Sequence, residues 1–211
     1  MINKIRIIIN LIIILTILPH VLNGIKHFNM DIYYLLWGGQ ILLISMIDTF
    51  FLFINIFEKP KMVDTSLIAV ISSFLGSTLL FLIHFFHDVP VLTSNLKAPG
   101  IILNVFICPL VLWALMCLRN CLSVIPEANK VVSKGIYKYS RHPLYVCYSL
   151  WGISYIFMFT SIPVIIICIS HILFLYIRLR LEEKVLLKSL SAYEDYYKQT
   201  GLINLPFLKI G

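Results

Sequence analysis

LYVCYSLWGISYIFMFTSIPVIIICISHILFLYI, residues 144–177, decides the fold: it contains no Asp, Glu, Lys or Arg. A hydrocarbon core of about 30 Å needs only about 20 apolar residues of helix, so this run is too long for one crossing. Thr160-Ser161-Ile162-Pro163 interrupts it near the middle. A proline preceded by hydroxyl residues suits a turn, and the run predicts a tight hairpin of two helices. Whatever flanks it therefore returns to a single face. On one flank stands Arg141-His142-Pro143, on the other Arg178-Leu-Arg180-Leu-Glu182-Glu183.

The rest of the chain agrees with a membrane setting. Hydrophobic residues make up 60% and charged residues 13%, with mean hydropathy +0.93, which is outside the range of ordinary soluble domains. Further spans are expected at Ile5–Leu22, Ile32–Phe57, Thr65–Phe86 and Ile101–Leu118. The expected fold is all-α: a polytopic bundle of about six spans that includes the C-terminal hairpin. A cytoplasmic amphipathic helix is expected from Arg180 to about Lys198, with Leu181, Val185, Leu186 and Leu190 at helical spacing. The first apolar run follows basic residues as a secretory signal does, but Pro-His-Val-Leu-Asn-Gly offers no small-x-small cleavage site, so it is read as a retained span.

The net charge of +7 does not point to nucleic acid. If six spans alternate from a cytoplasmic N-terminus, all of the 17 Lys and Arg except Lys26 and Lys97 fall on one side. That is the positive-inside pattern, and it places both termini in the cytoplasm of a multi-pass protein. The five cysteines lie in or beside apolar runs and form no Cys-x-x-Cys, so buried thiols are expected and no metal site. His84-Phe-Phe-His87-Asp88 lacks a further ligand cluster and reads as a polar span end.

Residues 1–118, four spans with short links, carry few ionisable groups, whereas 119–211 hold most of the charge and the motifs; the two are expected to form one integrated domain. Ser72/Gly76 and Ser73/Ser77 set small residues four apart for close helix packing. Asp48 lies within the second span, where a charge is expensive enough that it should face the bundle interior or a polar cavity.

His-Pro disfavours helix at His142, while Pro143 suits a first helical turn, so a helix begins there with its unpaired amides at the membrane boundary. Such an end can receive an anion. Gly135 permits a turn upstream, and Tyr137, Tyr139 and Tyr145 surround the corner with aromatic faces. From these residues alone, a ligand site and an interfacial anchor of Arg and Tyr fit equally. Arg178 and Glu182 are four apart on one helix, placed to pair with each other or to grip a ligand of both charges.

Asn129-Lys-Val-Val-Ser-Lys-Gly135-Ile-Tyr137, then Arg141-His-Pro-Leu-Tyr145, then Arg178 to Glu183, then Tyr197-Lys198 and Leu205-Pro-Phe-Leu-Lys209 together resemble the catalytic C-terminal region of isoprenylcysteine carboxyl methyltransferases. The resemblance implies S-adenosylmethionine as cofactor, in a pocket built from a loop and helix ends. The absence of Gly-x-Gly-x-x-Gly agrees with that. It implies that Asn129, Lys130, Val131, Val132, Tyr137, His142, Pro143, Leu144, Tyr145 and Glu182 hold the cofactor, and that Arg178 binds the carboxylate of a lipid-like or prenylated acceptor. The chain departs from the family pattern at Asn129, where His is usual, and at Cys147 and Ser191, where Gly is usual.

Methyl transfer to a carboxylate needs positioning and electrostatics but no general base; an amine acceptor would need one, with Glu183 or His142 the candidates. Related phospholipid-amine and thiol methyltransferases share the Arg-His-Pro and Glu-Glu elements. An NADPH-dependent sterol-reductase-like enzyme is a rival, against which Pro143 and the Glu182-Glu183 pair weigh, and a non-catalytic lipid-binding protein is another.

Overall fold

The computed structural model describes residues 32–55, 58–85, 95–205 and 208–210, together with Ile8 and Leu15. Its main elements are helical. Helix α1 runs Ile32–Asn55, α2 Leu67–Thr78, α3 Lys97–Leu118, α4 Pro143–Met158, α5 Ile162–Ser189 and α6 Ser191–Gln199. Two minimal antiparallel ladders accompany them: β1 (Met62–Val63) with β2 (Glu127–Ala128), and β3 (Ile203–Leu205) with β4 (Leu208–Ile210). The expected first span and the His87-Asp88 end lie outside the described residues, apart from Ile8 and Leu15.

The hairpin forms where the sequence places it. Pro143 and Pro163 each sit in the first turn of their helix, where a missing amide proton costs no hydrogen bond. Between the two helices, Thr160 Oγ1 donates to the carbonyls of Ile156 and Phe157 at 3.1 and 3.2 Å, satisfying acceptors that the end of α4 leaves without helical partners. Helix α2 starts at Ser66, whose Oγ accepts from the Ala69 amide at 3.3 Å, and it tightens into a 3-10 segment over Leu79–Phe85. The expected third span is therefore two kinds of helix in series.

Small residues set the approach of the helices. A Cβ at Gly100 in α3 would meet Met158 Cγ and N and Phe157 Cβ at 2.9 Å, so only hydrogen fits where α3 crosses the end of α4. A Cβ at Gly76 would touch Leu175 at 3.4 Å, and Ser72 and Ser73 are buried, consistent with α2 packing on α5 through its small face. One polar bridge crosses the core: Asn104 Nδ2 donates to Ser154 Oγ at 3.1 Å. At the end of α1, Asn55 Nδ2 donates to the carbonyls of Arg119 and Leu122 at 2.7 and 2.9 Å, so one side chain closes the end of α3 and fixes the loop after it.

Helices α3 and α5 are long and apolar enough to cross a membrane. On α5 the exposed face reads Ile162, Ile166, Ile169, Leu173, Tyr176 and then changes to Arg180, Lys184 and Lys188. An exposed apolar stripe of that length suits burial in a hydrocarbon layer, and the charged residues begin where it ends.

One boundary differs from expectation. No separate helix runs from Arg180 to Lys198: α5 continues unbroken to Ser189, the chain extends at Leu190 (φ −129°, ψ 103°), and α6 follows. No Pro or Gly stands between Ile177 and Ser189 to stop the helix, so it carries straight through the change from apolar to charged residues. Its apolar residues Val185, Leu186 and Leu190 pack on Ala128, Tyr193 and Tyr196. That stripe is internal core.

Candidate active site

The Gly135–His142 corner is built by the chain that closes over it. Gly135 takes φ +63°, and a Cβ there would meet Cys117 Sγ at 2.6 Å, so both conformation and space call for glycine. From α6, Tyr196 Oη donates to the carbonyls of Tyr137 and Ser140 at 2.6 and 3.2 Å. Arg141 is buried and reaches outward from the corner: Nε to Glu183 Oε1 and Nη1 to the Tyr197 carbonyl, both at 3.1 Å, and Nη1 also to the Thr200 carbonyl. Its guanidinium lies 4.0 Å from the centre of the Tyr197 ring. Arg141 thus ties the corner, α5 and α6 together. Glu183, the partner, also lies 3.5 Å from His142 Nε2 and 3.3 Å from Arg180 Nη1.

The loop opposite is held by the β1–β2 pairing, reinforced by Lys61 N donating to the Ala128 carbonyl at 2.8 Å. This sets Asn129–Val132 against the corner. Asn129 Nδ2 donates to Glu127 Oε1 at 2.8 Å, so asparagine supplies a hydrogen bond at that position.

Between loop, corner and α5 lies a cavity of about 790 Å³. Of the residues singled out from sequence, Asn129, Lys130, Val131, Val132, Tyr137, His142, Leu144, Tyr145, Arg178 and Glu182 all line it. Pro143 does not; it sets the helix start. Sequence reasoning missed Ser123, Glu127, Tyr193 and Tyr196 as wall residues, and only the tyrosine spacing on α6 carried a signal for them. Cys147 is buried in the main core and lines neither cavity described here.

Within the wall, Tyr145 Oη donates to Glu182 Oε2, and the Arg178 guanidinium lies 5.2 Å from the centre of the Tyr145 ring. Arg178 and Glu182 therefore each have a partner other than the other. Arg178 Nη2 donates to the Ser123 carbonyl at 2.6 Å and Nη1 to Ser77 Oγ at 3.3 Å, while its Nε is buried with no partner. Burial first, and then the charge of Glu182, pushes the Tyr137 phenol well up; burial and the carboxylates of Glu183 and Glu182 do the same to Tyr193. Both remain protonated hydroxyls at physiological pH.

A second cavity of about 900 Å³ lies among α1, α2, α4 and α5, and shares Leu122, Ser123, Leu144, Tyr148 and Arg178 with the first. Its lining is largely apolar, with Ile44, Leu52, Leu80 and Phe81 among it. Asp48 lines this space and accepts from Tyr148 Oη at 3.0 Å. Arg178 stands where the two cavities meet. One side is polar and aromatic, the other greasy.

Among the described residues no three His, Cys, Asp or Glu side chains group as metal ligands, and the five cysteines are free.

Residues 100–188 match the isoprenylcysteine carboxyl methyltransferase (ICMT) family. No curated protein matches the chain. The matched stretch contains nearly all of α3, the loop, the corner, α4 and nearly all of α5, and with them Arg178, Glu182 and every other wall residue predicted from sequence.

Proposed function

We propose, from the isoprenylcysteine carboxyl methyltransferase family domain at residues 100–188, that this chain is an integral membrane methyltransferase. It takes S-adenosylmethionine into the polar cavity and methylates the carboxylate of a lipophilic, prenylcysteine-type acceptor lying in the apolar one. Residues 119–211 then supply the cofactor side, while α1 and α2 complete the acceptor chamber. The observation that carries this reading is the position of Arg178 on the wall common to both cavities.

The first cavity suits the cofactor in donor set. The carboxylate of Glu182 accepts hydrogen bonds from ribose hydroxyls or an ammonium group, and the loop at Lys130–Val132 offers backbone edges to a base. Tyr137 and Tyr145 present aromatic faces to a cation. S-adenosylmethionine, when bound, supplies an electrophilic methyl group on a sulfonium.

The chain's own work is then positional. Arg178, braced by Ser123 and Ser77, holds the acceptor carboxylate at the junction, where its forked donors match the two oxygens. The guanidinium is always charged, so it holds a carboxylate in its nucleophilic, ionised form and repels a protonated amine. The chamber keeps the tail and excludes water, which strengthens the Arg178 contact. Glu183, a base candidate for amine chemistry, is taken up by Arg141, which further favours the carboxylate reading over the phospholipid amine.

The test is transfer of a tritiated methyl group to N-acetyl-S-farnesylcysteine and, separately, to phosphatidylethanolamine, in purified protein. Base-labile product from the first substrate is expected. Base-stable product from the second alone sinks the carboxylate assignment.

A further inference from the structure

The apolar chamber has a depth that can be read from its walls. Arg178 stands at its mouth, where the two cavities meet, and Leu144 lines both cavities at the same end of α4. Helices α4 and α5 run antiparallel from the hairpin, so the chamber deepens as residue numbers rise on α4 and fall on α5. The deepest lining residue is Tyr155 on α4 and His171 on α5. A third wall agrees. Asn55, at the end of α1, is held to the loop by its bonds to the Arg119 and Leu122 carbonyls, so Leu52 lies near the mouth and Ile44 about two turns further in.

Helix rise turns these positions into lengths. From Arg178 to His171 is two turns of α5, about 10 Å along its axis. A Cβ at Gly152 would lie 3.5 Å from the His171 ring, which puts the two at one level, and Tyr155 lies about 5 Å beyond Gly152 along α4. The lining thus ends about 15 Å below the mouth. Counting along α4 alone, from Leu144 to Tyr155, gives about 16 Å. Tyr155 is 3% exposed, with its ring 6.2 Å from that of Trp151 on the mouth side and 6.4 Å from that of Phe159 on the far side. Below the lining lies packed aromatic core.

An extended carbon chain advances about 1.2 Å per bond, as the three backbone bonds of an extended residue span about 3.6 Å. With the amino-acid head at Arg178, a geranyl tail reaches about 8 Å inward, a farnesyl tail about 13 Å and a geranylgeranyl tail about 18 Å. The first leaves the deep end empty, the second fills the chamber and the third overruns it. We infer that the chamber is a ruler for the acceptor's tail, set to three isoprene units, and that Tyr155 is the floor that sets it. This rests on the acceptor-side reading of Arg178 above and narrows it from lipophilic tails in general to one length.

The experiment uses full-length protein in lipid nanodiscs and saturable binding of tritiated N-acetyl-S-farnesylcysteine, competed by the unlabelled S-geranyl, S-farnesyl and S-geranylgeranyl compounds. On wild-type protein the farnesyl compound should compete at concentrations about tenfold below the geranylgeranyl one, the ordinary size of an overpacking penalty, and the geranyl compound should also be weaker than farnesyl. In Tyr155→Ala, and separately in Ile44→Ala at the deep end of the α1 wall, geranylgeranyl should gain until it equals or exceeds farnesyl. Met158→Ala, which loosens α4 where it meets Gly100 of α3, should keep the wild-type order. Geranylgeranyl equal to or better than farnesyl on wild-type protein, an order unchanged in the opened variants that bind the tracer, the same switch in Met158→Ala, or no saturable binding to wild type each overturns the inference. Methyl transfer measured in the same preparation separates the two layers. Transfer without a tail preference leaves the methyltransferase reading and removes this one, whereas a tail preference without transfer does the reverse.

Discussion

Replacing Glu182 by glutamine keeps the size of the side chain and removes its charge. In the structure this carboxylate takes the Tyr145 hydroxyl on one oxygen, and Glu182 lines the polar cavity. A glutamine amide can still accept from Tyr145, so the wall should stay in place. What disappears is a charge-assisted bond to whatever cation or hydroxyl the cavity receives, about 1.5–3 kcal/mol. At 1.4 kcal/mol per decade, S-adenosylhomocysteine should bind about tenfold to a hundredfold more weakly to Glu182→Gln than to wild type. Isothermal titration reads this directly. The matched control is Glu194→Gln on α6, whose carboxylate is exposed and bonds only Lys198 at 2.7 Å among the described contacts. A surface pair of that kind contributes little, and its loss should leave affinity unchanged. Affinities within about twofold of each other in the two variants would remove Glu182 from the site and with it the argument from its charge.

Three further outcomes follow from the packing and the site. Gly100→Ala should lower stability by about 1–3 kcal/mol in a detergent melt, because the new methyl overlaps Met158 and Phe157; Gly152→Ala, where a Cβ meets ordinary contact at 3.5 Å, should cost far less, and equal losses would mean the α3–α4 crossing is not tight. Arg141→Ala should cost about 1.5–3 kcal/mol by removing the charge-assisted bond to the buried Glu183, which keeps only Arg180 and His142, and adding Glu183→Leu should recover part of the loss; no recovery would show that Arg141 acts through its carbonyl contacts alone. Burial raises the Cys121 thiol, which lines the polar cavity, so with Cys117→Ser as background its alkylation should be slow at pH 8 and accelerate above that as thiolate forms. Saturating S-adenosylhomocysteine should slow it further, and indifference to the ligand would place the cofactor elsewhere.

Much of this was legible in the sequence, and the residues that were not have physical reasons. The hairpin could be read because Pro163 follows two hydroxyl residues inside a run too long for one span. The continuation of α5 to Ser189 could not be read so easily: a change from apolar to charged composition suggests a new element, yet nothing between Ile177 and Ser189 breaks a helix. The β1–β2 pair joins residues far apart in sequence over two positions each, too short to leave any alternation, though it is what sets the loop bearing Lys130 over the site. Asp48 announced itself by its cost in a span. Its partner Tyr148, 100 positions away, had no marker that distinguished it from other aromatic residues of α4. Arg178 and Glu182 were expected on one face because four residues turn a helix by little more than one revolution. They are, but the long arginine reaches to Ser123 and Ser77 at the junction while the shorter glutamate stays in the polar cavity, so a pair on the helical wheel becomes two groups facing two compartments.

The central claim, that Arg178 serves the acceptor at the meeting point of two cavities, is tested most directly by splitting the two ligands in one variant. With Arg178→Ala, S-adenosylhomocysteine affinity measured by titration should stay within a fewfold of wild type, whereas kcat/KM for N-acetyl-S-farnesylcysteine should fall by about tenfold to a hundredfold, as expected for one lost charge-assisted contact. Loss of S-adenosylhomocysteine affinity in this variant, with the KM for the acceptor unchanged, would contradict the account by placing the guanidinium on the cofactor side.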